Sequence, residues 1–185
     1  GCTGAHNHNV KRFHGGEYAR HVGVRSFKVI MKVLFIHQNF PAQFKHLAPA
    51  LAARAGWEVA TLTLRKELPD TWQGVKVFRY SVARGSTKDI HPWVASLETQ
   101  TLRGEAVLRA ALALRAQGWT PDVIVAHPGW GEALFLKDVW PQARLGLYCE
   151  FFYQAEGADV GFDAEFSSGT LLDASRLRMK NAGAM

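Results

Sequence analysis

"MKVLFIHQNFPAQFKHLAPALAARAGWEVATLTL" (31–64) decides the fold. "KVLFIH" (32–37) is a short apolar run of the kind found in strands buried on both faces. The next segment, 41–56, places Phe44, Leu47, Ala48, Leu51 and Ala55 on one helical face, with Gly56 as a C-terminal stop. Pro49 inside it predicts a kink or a lost hydrogen bond. "WEVATLTL" (57–64) returns to the strand pattern, so the stretch reads as strand–helix–strand.

The alternation continues outward. "VKVFRY" (75–80) is a third strand, and "HPWVASLETQTLRGEAVLRAALALRAQG" (91–118) a long helix with Leu97, Leu108, Ala111 and Leu112 at core spacing. "DVIVAH" (122–127) is a fourth strand, "WGEALFLKDVW" (130–140) a short helix ended by Pro141, and "RLGLYCE" (144–150) a fifth strand. Strands separated by helices predict a parallel, doubly wound Rossmann-like α/β sheet. In the order 3-2-1-4-5 the first and fourth strands are neighbours, and ligands bind outside their carboxyl ends. The loops at that crevice are "HQNFPAQ" (37–43) and "HPGWGE" (127–132).

At 185 residues, with 48% hydrophobic and 21% charged residues, the chain has the composition of one globular domain. The formal charge of +6 is unevenly spread. Five of the 22 basic residues and one of the 16 acidic ones lie in 1–30, leaving 17 against 15 beyond. A polyanion-binding surface is therefore not expected on the folded part, and no nucleic-acid partner. Residues 1–30 hold four of the eight histidines and show no helix or strand period. They read as a disordered or non-native leader, without the apolar core of a secretion signal, and the domain as 31–182. Cys2 and Cys149 form no disulfide or metal framework, which suits a reducing, cytoplasmic compartment.

Candidate chemistry gathers at the two crevice loops. The first lacks GxGxxG, so a nicotinamide cofactor is not expected. Asn39 is a candidate cap and Pro41 suits a first helical turn, which would aim the N–H groups of Ala42 and Gln43 at an anion. In the second loop, Gly129 and Gly131 permit close backbone approach to a ligand or to a neighbouring helix. His127 is a candidate donor to a sugar hydroxyl or phosphate oxygen, or a buried histidine satisfied by the backbone. Trp130 stacks on a sugar or packs in the core; Glu132 contacts a ligand or favours a first helical turn. Glu150, at the carboxyl end of the fifth strand, is a candidate for hydroxyl binding or proton transfer. Asp159, Asp163 and Glu165 lack calcium-loop spacing, no metal site is expected, and G-x-S-x-G, Walker A and HExxH are missing.

"MKVLFIHQNFPAQFKHLAPALAARAGWEV", "DVIVAHPGWGEALFLKDVWPQARLGLYCEFFY" and "DVGFDAEF" together resemble the amino-terminal domain of family 4 glycosyltransferases, retaining enzymes of the GT-B architecture. The resemblance covers roughly 31–182. It implies an acceptor-side domain facing a carboxy-terminal donor domain, before which this sequence stops. It further implies a nucleoside-diphosphate sugar as donor substrate rather than a bound cofactor, and a glycan or other hydroxyl compound as acceptor. Gln38, Asn39, Ala42 and Gln43, with Gly129 and Gly131, would lie near the donor phosphates, and His127 and Glu150 would be the candidate catalytic groups. Peripheral contact with the inner face of the cell membrane stays open, although no amphipathic basic helix in 31–185 argues for it. Two alternatives remain: a stand-alone α/β ligand-binding module, and another Rossmann-like nucleotide-sugar enzyme.

Overall fold

Strand β1 (Met31–Ile36) alternates its side chains between two apolar layers, and both are filled. Val33 and Phe35 pack with Phe40, Phe44 and Ala48 on one face. Leu34 and Ile36 pack with Val107, Ala111, Ile124 and Leu136 on the other. A strand with no solvent face is what an uninterrupted apolar run encodes. The computed structural model describes residues 30–149, 154 and 170–181.

The remaining elements are α1 (Leu47–Ala52), β2 (Trp57–Thr63), β3 (Thr71–Trp72), β4 (Val75–Arg79), α2 (Ala95–Ala116), β5 (Val123–Ala126), α3 (Leu136–Val139), β6 (Arg144–Leu147) and α4 (Leu171–Asn181). The sheet order is β3-β4-β2-β1-β5-β6. All pairings are parallel except β3 with β4. The five expected strands thus stand in the expected order, with β1 beside β5. Helix α1 covers one face; α2 and α3 cover the other. Strand β3 was not anticipated. It forms a two-residue hairpin through Gln73 (φ 46°) and Gly74 (φ 82°), the positive-φ pair of a type I′ turn.

Three helical expectations need correction. Segment 41–56 is not one helix: a 3-10 turn at Ala42–Phe44 is separated from α1 by Lys45 and His46. The break falls four residues before Pro49, where the proline ring would strike the preceding turn's carbonyl. Phe44 and Ala48 are buried as expected, but Leu47 is about half-exposed. Gly56 does take a positive φ, but in the turn into β2 rather than at the helix end.

The long helix is shorter than 91–118, and its buried stripe is Gln100, Gly104, Val107, Ala111 and Leu114, leaving Leu112 exposed. It closes in a Schellman motif: Trp119 N–H donates to Leu114 O (3.0 Å) and Gly118 N–H to Arg115 O (2.9 Å), with Gly118 at φ 79°. Segment 130–140 divides into a 3-10 turn at Pro128–Trp130 and the four-residue α3. Gly131, at φ 93°, ends the turn. A Cβ there would lie 2.1 Å from the backbone oxygen of Gln100 in α2.

Gly118 and Gly131 therefore separate two costs. Around Gly118 a Cβ would meet nothing within 4 Å, so Gly118→Ala carries only left-handed backbone strain, about 1 kcal/mol. Gly131→Ala adds collision with an immovable backbone and is expected to cost about 3–5 kcal/mol. Urea unfolding of both variants checks the difference.

Candidate functional site

Ile36 and Ala126 are partners at the carboxyl ends of β1 and β5, so the chain delivers His37 and His127 side by side. Their rings are 5.8 Å apart between centroids and nearly perpendicular, at 85°. Both are buried, with exposures of 5% and 9%. Each ring is held the same way. Nδ1 of His37 accepts from the Asn39 N–H (3.0 Å), and Nδ1 of His127 from the Gly129 N–H (3.1 Å). An acceptor Nδ1 puts the proton of the neutral imidazole on Nε2. Two histidines in one tautomer thus stand at the point where the sheet's winding reverses.

Aromatic rings surround the pair. Phe44 lies edge-on to His37 (6.3 Å), and Tyr148 edge-on to Phe44 (6.0 Å). Trp130 tilts over His127 at 6.3 Å and carries the Arg103 guanidinium on its face at 5.3 Å. Both Trp130 and Tyr148 are exposed, so Trp130 is not a core residue.

The first loop departs from the expected helix N-terminus. Asn39 caps nothing; its N–H goes to His37, and Pro41 stands at the cap position. A three-residue 3-10 turn aligns too few peptide dipoles to favour an anion as a helix end does. Ala42 takes φ 37°, and Gln43 is partly buried within the turn. The Gln38 carbonyl accepts from the Thr63 hydroxyl (2.8 Å) and the Leu64 N–H (3.1 Å), which ties this loop to the end of β2. In the second loop Gly131 serves helix contact. Gly129 serves the His127 ring: its N–H is the donor, and a Cβ would sit 2.9 Å from Cε1. Glu150 lies outside the described residues. Among those described, no three His, Cys, Asp or Glu side chains gather as a metal site.

Glu132 is neither a surface carboxylate nor part of a helix. It is 1% exposed, and its Oε1 accepts from the hydroxyl of Tyr80, just beyond β4, at 2.9 Å. Its Oε2 is buried without a hydrogen-bond partner. Desolvation pushes this carboxyl above the ordinary range, although its own backbone N–H, the Tyr80 hydroxyl, Arg103 and His127 all favour the charge. Burial and the neighbouring carboxylate push the Tyr80 hydroxyl up as well.

Sequence reasoning missed His37, Arg103, Tyr80 and the burial of Glu132. A signal for His37 existed: "FIHQN" and "VAHPG" each end a buried strand in histidine, two residues before the N–H that holds its ring.

The Glycosyl transferase family 4 group profile matches residues 55–185, more than half of the chain. The chain belongs to this family. No curated protein matches it. Among solved structures, the family 4 domain is similar to the apo UGT2 of Phytolacca americana, at 13% identity and TM-score 0.45, over 64% of this chain and 29% of that one. UGT2 complexed with UDP-2fluoro-glucose and pterostilbene matches at 14% and 0.43, over 65% and 30%. A Listeria monocytogenes protein described as a UDP-N-acetylglucosamine 2-epimerase matches at 14% and 0.41, over 84% and 38%. The family 4 domain spans well under half the length of each. No described helix is long and apolar enough to cross a membrane.

The raised Glu132 carboxyl makes a pH prediction for the family 4 domain. A folded value above the unfolded one adds stability that is complete below the unfolded value and is lost as pH rises through the folded one. Glu132→Gln keeps an acceptor for Tyr80 without the charge. It is expected to flatten that loss and to be more stable than wild type at neutral pH, measured by urea midpoints across pH 4–8. Tyr80→Phe strips Oε1 of its donor and is expected to cost about 1–3 kcal/mol.

Proposed function

We propose that this domain is the acceptor-side half of a nucleotide-sugar-dependent, retaining glycosyltransferase of the GT-B architecture, acting in polysaccharide or glycoconjugate synthesis. The observation that carries the reading is the His37–His127 pair, held in one tautomer at the switch point of a family 4 domain. A pair of imidazoles at the carboxyl ends of β1 and β5, where ligands of such sheets bind, suits oxygen-rich ligands, either sugar hydroxyls or phosphate oxygens. The exposed rings of Trp130 and Tyr148 flank them and suit the apolar face of a pyranose.

In this reading the donor is a nucleoside-diphosphate sugar, and its remaining contacts come from a second domain. The anomeric C–O bond to phosphate breaks, its electron pair leaves with the diphosphate, and the acceptor oxygen bonds to the same carbon on the same face. The acceptor's proton passes to the leaving phosphate. His127 binds the donor sugar, and His37 adds the second donor, toward the phosphate. Gln38 through Gln43 and Gly129 line the approach as backbone, a role that loop geometry rather than a helix dipole must now carry. Glu150 is assigned to the acceptor hydroxyl. Acceptance of glycan or other hydroxyl compounds, a cytoplasmic location and peripheral membrane contact belong to the same proposal.

In a chain that includes the donor domain, His127→Ala and His37→Ala are each expected to lower kcat/KM for sugar transfer by about 10²-fold or more, alongside a loss of stability of about 1–3 kcal/mol from the backbone N–H that each leaves unpaired, which urea unfolding reads separately. Unchanged transfer in His127→Ala would remove that residue from the site. Titration of the present chain with a UDP-sugar is expected to show binding weaker than about 1 mM. Tight binding would contradict the division of labour between halves.

A further inference from the structure

The 127–131 turn is seated on α2 by few contacts. Gly131 meets the Gln100 backbone, and the Gln100 amide donates to Gly129 O at 3.4 Å. No ion pair joins the turn to the helix among the described residues. Gly129 and Trp130 are exposed, whereas Leu136 and Val139 a few residues later are buried in the core. Glu132 stands at the junction of these two parts, and it is 1% exposed.

Its carboxyl lacks what a carboxylate needs. A carboxylate offers about four acceptor sites, and here one neutral donor, the Tyr80 hydroxyl, reaches Oε1 at 2.9 Å. Oε2 is buried with no partner. The titratable groups that face it are Tyr80 from the end of β4, Arg103 from α2 and His127 from the turn. Arg103 forms no ion pair with it and lies over Trp130 instead. A second acceptor at the same loop–helix contact, Gln100 Oε1, is also buried without a donor. A proton on Oε2 removes the charge and turns one of these two acceptors into a donor, so the closed packing suits the acid and not the anion. The anion regains solvation only where water can enter. The turn is the segment able to admit it, because the chain beyond Glu132 is anchored in the core.

We propose that Glu132 is a positioning residue that works through its proton: as the neutral acid it keeps the 127–131 turn closed on α2 with His127 at the crevice, and as the anion it lets the turn open. The Oε2–H bond breaks, its electron pair stays on the carboxylate, and the proton passes to water. That the opening turn carries a ligand site rests on the glycosyl-transfer reading; the proton linkage of the turn does not. Burial holds the closed-state carboxyl above the ordinary range, and opening returns it there. Opening is therefore insensitive to pH below the ordinary carboxylate value. It grows by about tenfold per pH unit above that value and levels off beyond the closed-state one.

Amide hydrogen exchange of the present chain, followed by NMR as protection factors across about pH 4–8, tests this. The reporter is the Leu134 N–H, which donates to Gly131 O at 3.2 Å. Its protection is expected to stay below that of the β1 amides and to fall by up to about tenfold per pH unit above the ordinary carboxylate value. In Glu132→Gln, which is neutral at every pH, the same protection is expected to be flat. In wild type the Glu132 side-chain ¹³C resonance is expected to titrate above the ordinary range. A pH-independent Leu134 protection in wild type overturns the proposal, as does a slope that survives in Glu132→Gln or exchange of Leu134 only together with β1. If Glu132→Gln does not fold, a Glu132 resonance that titrates in the ordinary range overturns it. Sugar transfer enters none of these readouts, so their failure leaves the glycosyl-transfer reading standing.

Discussion

The site side of this domain depends on one backbone contact. Gly131, in the loop after β5, lies directly on the backbone of Gln100, and Gly104, one helical turn further along α2, lies under the Gly131 carbonyl. A Cβ at Gly104 would come within 2.8 Å of that oxygen. Neither position has room for a side chain, so loop and helix meet at backbone distance. The contact seats Glu132 beneath α2, where Tyr80 reaches it, and holds the 127–131 turn in place above the sheet. Gln100 adds a second tie, its Nε2 donating to Gly129 O at 3.4 Å.

Around that contact the electrostatics favour neutral groups over charges. The Glu132 carboxyl is pushed toward its protonated form by burial, and the Tyr80 hydroxyl is held protonated beside it. The two histidines each spend Nδ1 on a backbone N–H two residues ahead. A ring fixed by the backbone in this way loses little to reorganisation. The cation nearby, Arg103, lies over the face of Trp130.

The architecture was legible because sheet periodicity is local. Apolar runs at 32–37, 57–64, 75–80, 122–127 and 144–150 each became a strand, trimmed by one to three residues at an end. Their order followed from the handedness of crossovers and from the switch-point rule. The helices were less legible. Periodicity alone put Leu112 and Leu47 in the core. The fold buried Leu114 in place of Leu112, and kept Ala48 but not Leu47, because the rotation of a helix on its sheet is set by which side chains the partner strands leave room for.

In the same way, the expected strand order was enough to put His127 at the crevice mouth, and the resemblance of three stretches to known family members connected the chain with family 4. They could not reveal that Asn39 caps nothing, since the chain opens there with a three-residue 3-10 turn whose cap position is Pro41. Nor could they show that Glu132 is a buried acid, because its partner Tyr80 stands 52 residues earlier in the chain. The sequence by itself determined which segments are strands, which faces are apolar and where the chain must turn, all consequences of local sterics and side-chain polarity. Only the tertiary structure decided which polar atoms lose their water, because desolvation depends on what packs over a residue rather than on its neighbours in the chain.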